Sequence, residues 1–365
     1  MSLDAAAMDS ATTSQATGTI APMTSAPQRV SLPLAKPSID IYPQHSFYLS
    51  VMELQAPATD WVLSNYLQIT AFPAPETGEL FFFDFFVADA EKHVNPWLAV
   101  QKIDRRYFAA ITGDPVDALR DCLRRGYYIK LPLDEFHVPR TPSHGRVHFS
   151  HPSMLHGFDD AEQVFEFSGY MDSHYGQSRI GYEDLRRGVA DLAISGPPDY
   201  PDLFLVKPQC NWAFLFDPIA VAEGIEDYLG AKNSMTRYRT MMTPEEMYYG
   251  VEVYDAFQMY VLAVACGEAS TNVLPSHLLF EHKRLMAQRV RRMIELGLLA
   301  ADADWASRAD EVLDLGFRLR AEYLKLHRRP RRDAPPDAIV RLIDRLRATE
   351  HGFLSDLAST LRSSK

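Results

Sequence analysis

The chain has 365 residues, 47% of them hydrophobic and 11% aromatic, with a formal net charge of -11. That length accommodates one large domain or two ordinary ones, each with a real core. The acidic balance excludes generic nucleic-acid binding, which needs a basic face. Cys122, Cys210 and Cys266 make no paired framework and no C-x-x-C, so a reducing cytoplasm is expected. No apolar run approaches the ~20 residues of a bilayer span, and no basic n-region with an apolar core marks a secretory signal.

Residues 1–36 are rich in Ala, Ser, Thr and Pro, and such a segment buries too little apolar area to offset its ordering entropy. Disorder is expected there. Tyr42-Pro43-Gln44-His45 then leads into a short apolar helix from Ser46 to Leu54, broken by Pro57. Trp61 to Ile69 reads as helix or strand, and Leu80 to Val87 (LFFFDFFV) as a strand inside a sheet. Asp114-Pro115 is an N-cap with Pro at the first helical position, and Gly126 closes the helix after Arg125. Tyr127 to Leu133 is a strand, and 134–144 a Pro-containing loop.

Residues 145–170 read as a β-hairpin. Its first strand, Val147 to Leu155, carries His148 and His151; Gly157-Phe158-Asp159-Asp160 supplies the turn, and Gln163 to Phe167 returns. Tyr182 to Leu192 is an amphipathic helix, followed by strands at Leu203 to Lys207 and Trp212 to Phe216. Beyond Asp217 five stretches show helical periodicity: Pro218 to Leu229, Pro244 to Cys266, Pro275 to Leu299, Ala306 to Leu326 and Pro336 to Leu361. The expected architecture is α+β with a mostly antiparallel sheet over 37–216, closed by a helical module over 217–365.

Two stretches stand out: the series Asp134-Glu135-Phe136, His148-Phe149-Ser150-His151 and His156-Gly157-Phe158-Asp159-Asp160, and Glu281-His282-Lys283-Arg284-Leu285-Met286 with Arg289. Together they resemble the butirosin-biosynthesis protein H family. The resemblance covers roughly 38–365 and implies a papain-like fold in the N-terminal domain. It also implies acyl transfer from an acyl carrier protein or acyl thioester to an amine or alcohol acceptor. In that pattern a nucleophilic Cys opens the first helix. Here Ser46 stands at that point, and a serine hydroxyl depends wholly on a neighbouring base. The base carried over is His151, with His148 second. The third, acidic member belongs near Gly169, where the chain has Ser168-Gly169-Tyr170, and the nearest acid beyond is Asp172. The resemblance further places Glu281, His282 and Arg289, with His148, against substrate.

Each residue also has a plainer reading. Ser46 could simply cap a helix, an effect worth about 1 kcal/mol. A helix N-terminus would at the same time offer N–H groups to an oxyanion. His144, His148, His151 and His156 lack helical H-x3-H spacing because Gly145 and Pro152 interrupt it, so neither a metal nor another cofactor is expected. Cys122 and Cys266 read as packing residues, and Cys210 as the one exposed candidate. The run His327-Arg328-Arg329-Pro330-Arg331-Arg332 is either a solvated turn or a landing site for an acidic carrier. Three functions therefore compete: a Ser-His acyltransferase, a catalytically inactive papain-like scaffold or carrier-binding subunit, and a hydrolase or peptidase. The apolar-faced helices allow a homodimer; neither nucleic acid nor membrane is expected as a partner.

Overall fold

Alternation along buried strands builds the centre of the molecule. In a computed structural model the described residues are 27–74, 79–86, 97–172, 174–192, 202–209, 213–237, 247–301, 304–328 and 336–363. The main sheet contains β1 (Arg29–Ser31), β4 (Leu98–Asp104), β5 (Tyr128–Asp134), β6 (Ser150–Asp159), β7 (Val164–Met171), β8 (His174–Gly181) and β9 (Asp202–Pro208). Its order is β4-β9-β5-β6-β7-β8, with β1 added on β6, and its pairings are antiparallel. A smaller antiparallel sheet orders β10 (Tyr248–Tyr249), β2 (Ile69–Ala74) and β3 (Glu79–Phe85).

Both faces of the main sheet are covered. Leu203 and Leu205 of β9 join a core with α4 (Pro115–Arg124) and α5 (Tyr182–Ala190), through Val116, Leu119, Leu123 and Leu185. Phe204 and Val206, alternating with them, join the larger core on the other face. That core takes in α1 (Pro43–Met52), α2 (Ala56–Asn65) and the helices α6 (Pro218–Leu229), α7 (Val253–Cys266), α8 (Leu274–Glu295), α9 (Trp305–Arg328) and α10 (Asp337–Ser363). The helical region is not set apart: β10 pairs with β2, and one continuous core runs from Ile39 to Leu361. Among the described residues no helix is long and apolar enough to cross a membrane.

The mixed α+β architecture and antiparallel sheet agree with expectation; several details do not. Arg29–Ser31 lies within the segment expected to be disordered, yet pairs with Gly157–Asp159. Residues 1–26 lie outside the described residues. Gly157 to Asp159 are the end of β6, not a turn; the chain reverses at 160–163. Gly157 is required for close approach, since a Cβ there would stand 2.6 Å from the Val30 carbonyl oxygen. Asp160 instead knots the fold, accepting from Arg120 at 2.6 Å, the Tyr182 hydroxyl at 2.8 Å and the Gln28 N–H at 3.1 Å. Trp61 belongs to α2, and only Ile69 starts a strand. Residues 213–217 form no strand, and Arg105–Ile111 adds an unanticipated short helix, α3. Val87, Cys210, Trp212 and 329–332 lie outside the described residues.

Glu53 caps α1 and carries a pH effect. Its Oε2 accepts the Ser38 N–H at 2.9 Å, while Oε1 is buried without a hydrogen-bond partner among the described residues. Burial pushes its carboxyl up to about 7 from 4.5. A folded pKa above the unfolded value means stability that is fully present below pH 4.5 and lost as pH rises through 7. At about 1.36 kcal/mol per unit, the loss approaches roughly 3 kcal/mol. Glu53→Gln keeps the acceptor and removes the ionisation, so it should lose about 2 kcal/mol less than wild type between pH 5 and pH 8. Urea unfolding at the two pH values checks this; equal losses would refute it.

Candidate functional site

Helix α1 begins three residues before Ser46. Pro43 occupies its first turn, Tyr42 is the N-cap in extended conformation, and every residue from His45 to Met52 is buried. Ser46 is thus inside the helix, with 0% of its surface exposed, and its own N–H already donates to the Tyr42 carbonyl at 2.9 Å. It is neither the cap nor beside a free oxyanion donor of its own. His45 anchors the helix from beneath, with Nε2 2.7 Å from Asp84 Oδ1 and Nδ1 3.3 Å from the Tyr66 hydroxyl.

The partner of Ser46 is Tyr170, not His151. Ser46 Oγ lies 3.1 Å from the Tyr170 hydroxyl, which donates to the Asp40 carbonyl at 2.8 Å. Since the phenol has one proton, the serine must be the donor in the first bond. Burial holds Tyr170 well above the usual phenol range, so it cannot take that proton.

His151 has the acidic partner that a general base needs, but from an unexpected position. Its Nδ1 lies 3.1 Å from Glu135 Oε1, and the Tyr170 ring stands edge-on with centroids 6.0 Å apart. Asp172 does not orient it. Asp172 pairs with Arg140 at 2.7 Å on the surface, at a positive φ of 50°. Glu135 sits in the quoted Asp134-Glu135-Phe136 stretch, where its place in a short 3-10 turn after β5 brings it to His151. The sequence offered no periodic signal for that. His148 is held away from this centre: its Nδ1 bonds buried Asp134 at 2.6 Å and its ring stacks on Phe136 at 4.5 Å. His156 is buried, with neither ring nitrogen hydrogen-bonded among the described residues, and burial lowers its pKa.

The residues expected against substrate on α8 separate into two groups. His282 and Arg289 are fully buried scaffold. His282 Nε2 donates to the Leu67 carbonyl at 2.8 Å, and burial drives its pKa well below the usual imidazole range. Arg289 donates to the carbonyls of Leu63 and Tyr66, closing the end of α2. Glu281 does reach the Ser46 neighbourhood. Its Oε1 accepts the Asp40 N–H at 2.9 Å and Arg284 at 3.1 Å, and burial raises its carboxyl to about 8. Asp40 is therefore the hub: its carbonyl receives Tyr170, its N–H reaches Glu281, and its carboxylate takes His277 Nε2 at 3.1 Å. The His277 bond, first among several causes, holds the Asp40 carboxyl below its ordinary value. Sequence reasoning singled out neither Asp40 nor His277. The only available signal was the H-x3-E spacing of His277 and Glu281, which sets both on one face of a helix.

No protein-family model matches this chain, and no curated protein is significantly similar to it. The chemistry therefore has to be argued from this constellation alone. It comprises a buried serine tied to a tyrosine, an imidazole with its own carboxylate, and an Asp-His-Glu group one hydrogen bond beyond.

Proposed function

We propose that this chain is a papain-like protein with a silenced nucleophile, which binds an acyl-carrying partner without becoming acylated. What carries the reading is the bond from Ser46 Oγ to Tyr170, itself committed to the Asp40 carbonyl. A nucleophilic serine needs a base within about 2.6–3.2 Å and an approach for the substrate. Ser46 donates instead to a phenol that stays protonated, and 0% of its surface is open. Helix α1 packs on β6, the two elements that the resemblance assigns to nucleophile and base. The partner class, an acyl carrier protein or acyl thioester, rests on that resemblance.

One observation favours the second reading, acyl transfer through Ser46: His151 retains a carboxylate at 3.1 Å, as an oriented base would. Intact-mass analysis after incubation with acyl thioesters separates the two. The expected spectrum shows no adduct, and binding of an acylated carrier protein is unchanged by Ser46→Ala. A mass increment that disappears in Ser46→Ala and in His151→Ala would establish the transferase instead.

A further inference from the structure

The Asp40, His277 and Glu281 side chains converge from two parts of the chain. Asp40 precedes α1, and His277 and Glu281 stand one helical turn apart on α8. One carboxylate oxygen from each acid and an imidazole nitrogen lie within 4.8 Å of one another. His277 Nε2 is 3.1 Å from Asp40 Oδ1 and 3.8 Å from Glu281 Oε1. Ligands at 2.0–2.1 Å around a tetrahedral ion are separated by roughly 3.3 Å, so a cluster spanning at most 4.8 Å needs only a small contraction and a turn of the Glu281 carboxyl to present its free oxygen.

A second observation points to a ligand. The Glu281 side chain has 0% exposure. Its Oε1 already accepts two hydrogen bonds, yet among the described residues its Oε2 is buried without a hydrogen-bond partner, as is His277 Nδ1. Buried polar atoms are nearly always paired, and a carboxylate left half-paired is costly. A cation bound by Oε2 in place of the carboxyl proton would remove that cost and balance the charge of Asp40 and the ionised Glu281. Asp40 and His277 keep 34% and 22% of their side chains exposed, which leaves an entry path and an open coordination position.

We propose that Asp40, His277 and Glu281 form a binding site for a divalent first-row transition metal, with Zn2+ the best fit to one imidazole and two carboxylates. Ion binding would replace the His277–Asp40 hydrogen bond by two metal–ligand bonds, and the Glu281 carboxyl would release its proton to solvent. His277 would ligate through Nε2 with its one remaining proton on Nδ1, an imidazolium also releasing a proton to solvent. The assignment does not depend on whether Ser46 reacts.

The test uses the full chain stripped with a chelator. Zn2+ is titrated calorimetrically, and Co2+ is added as a reporter whose visible absorption depends on its ligands. One ion per chain is expected, bound at least tenfold more weakly in Glu281→Gln and in Asp40→Asn. Gln at 281 preserves the acceptor for the Asp40 N–H, so loss of binding without loss of the circular-dichroism spectrum reads the ligand role. His148→Gln, at the separate Asp134-His148-Asp191 cluster, should leave affinity unchanged. Absence of binding, or binding indifferent to Glu281→Gln and Asp40→Asn, would overturn the assignment and leave Glu281 as a buried structural acid.

Discussion

Glu350→Ala should destabilise the chain by about 3–5 kcal/mol, the cost of leaving a buried charge without its partner. Lys283 of α8 and Glu350 of α10 are both fully buried, with Nζ 2.6 Å from Oε1. The carboxylate is saturated: the hydroxyls of Tyr228 and Tyr254 donate to its other oxygen at 2.8 Å and 2.7 Å. Lys283 Nζ also meets the Tyr228 hydroxyl at 3.1 Å and His282 Nδ1 at 2.9 Å, and lies over the rings of both tyrosines. Burial lowers the Lys283 pKa, while Glu350 opposes that shift by its charge and hydrogen bond. Without Glu350 the lysine would have to discharge or draw in water. Replacing both partners, as Lys283→Met with Glu350→Leu, should cost less than Glu350→Ala alone, because no charge is then stranded. Chemical denaturation of the three proteins checks the order. A single mutant within about 1 kcal/mol of wild type would show that the pair contributes little.

Arg289→Met should cost about 3 kcal/mol, through loss of two charge-assisted hydrogen bonds to backbone carbonyls in the core. Arg289 has 0% exposure, and burial draws its guanidinium down to about 9. Its donors reach the Leu63 and Tyr66 carbonyls, where α2 ends and no further turn can satisfy them. A cation at a helix C-terminus is also favoured by the helix dipole. Lysine cannot reproduce a fork that spans two carbonyls, so Arg289→Lys should recover only part of the loss. Hydrogen exchange localises the effect: faster exchange should appear first around 62–67. Unchanged stability would argue that Arg289 is held in reserve for a ligand, as the family resemblance suggested.

The two experiments bear on why the Glu281-His282-Lys283-Arg284 stretch was misread in part. Four consecutive polar residues on an apolar helix suggest a ligand, because sequence carries no record of what lies opposite. Here His282, Lys283 and Arg289 are answered by a backbone carbonyl, by Glu350 from a helix beginning 54 positions later, and by the end of α2. Among the described residues Glu281 Oε2 and Arg284 Nε are left unpaired, and Glu281 is the one that adjoins Ser46 through Asp40 and Tyr170.

Local chemistry determined a good deal by itself. Asp114 caps α4 through the Val116 N–H, and Gly126 ends the following turn at a φ of 80°, as an Asp-Pro start and a Gly stop require. The apolar runs of β5 and β9, buried on both faces of the sheet, and the apolar faces of the late helices were equally legible. Strand β8 was not, because His174–Gly181 is largely polar and half-buried or exposed except at Ile180; it is an edge held chiefly by its ladder with β7. The turn at 157–160 failed for a related reason. Gly and Asp favour turns locally, but Gly157 answers to the backbone of β1, 126 residues earlier, and Asp160 to Arg120 and Tyr182. Residue type and spacing decide which backbone conformations are cheap. Which hydroxyl meets which acceptor, and which charge is compensated, is decided only when distant segments pack, since desolvation makes each buried polar group dependent on whatever neighbour the fold supplies.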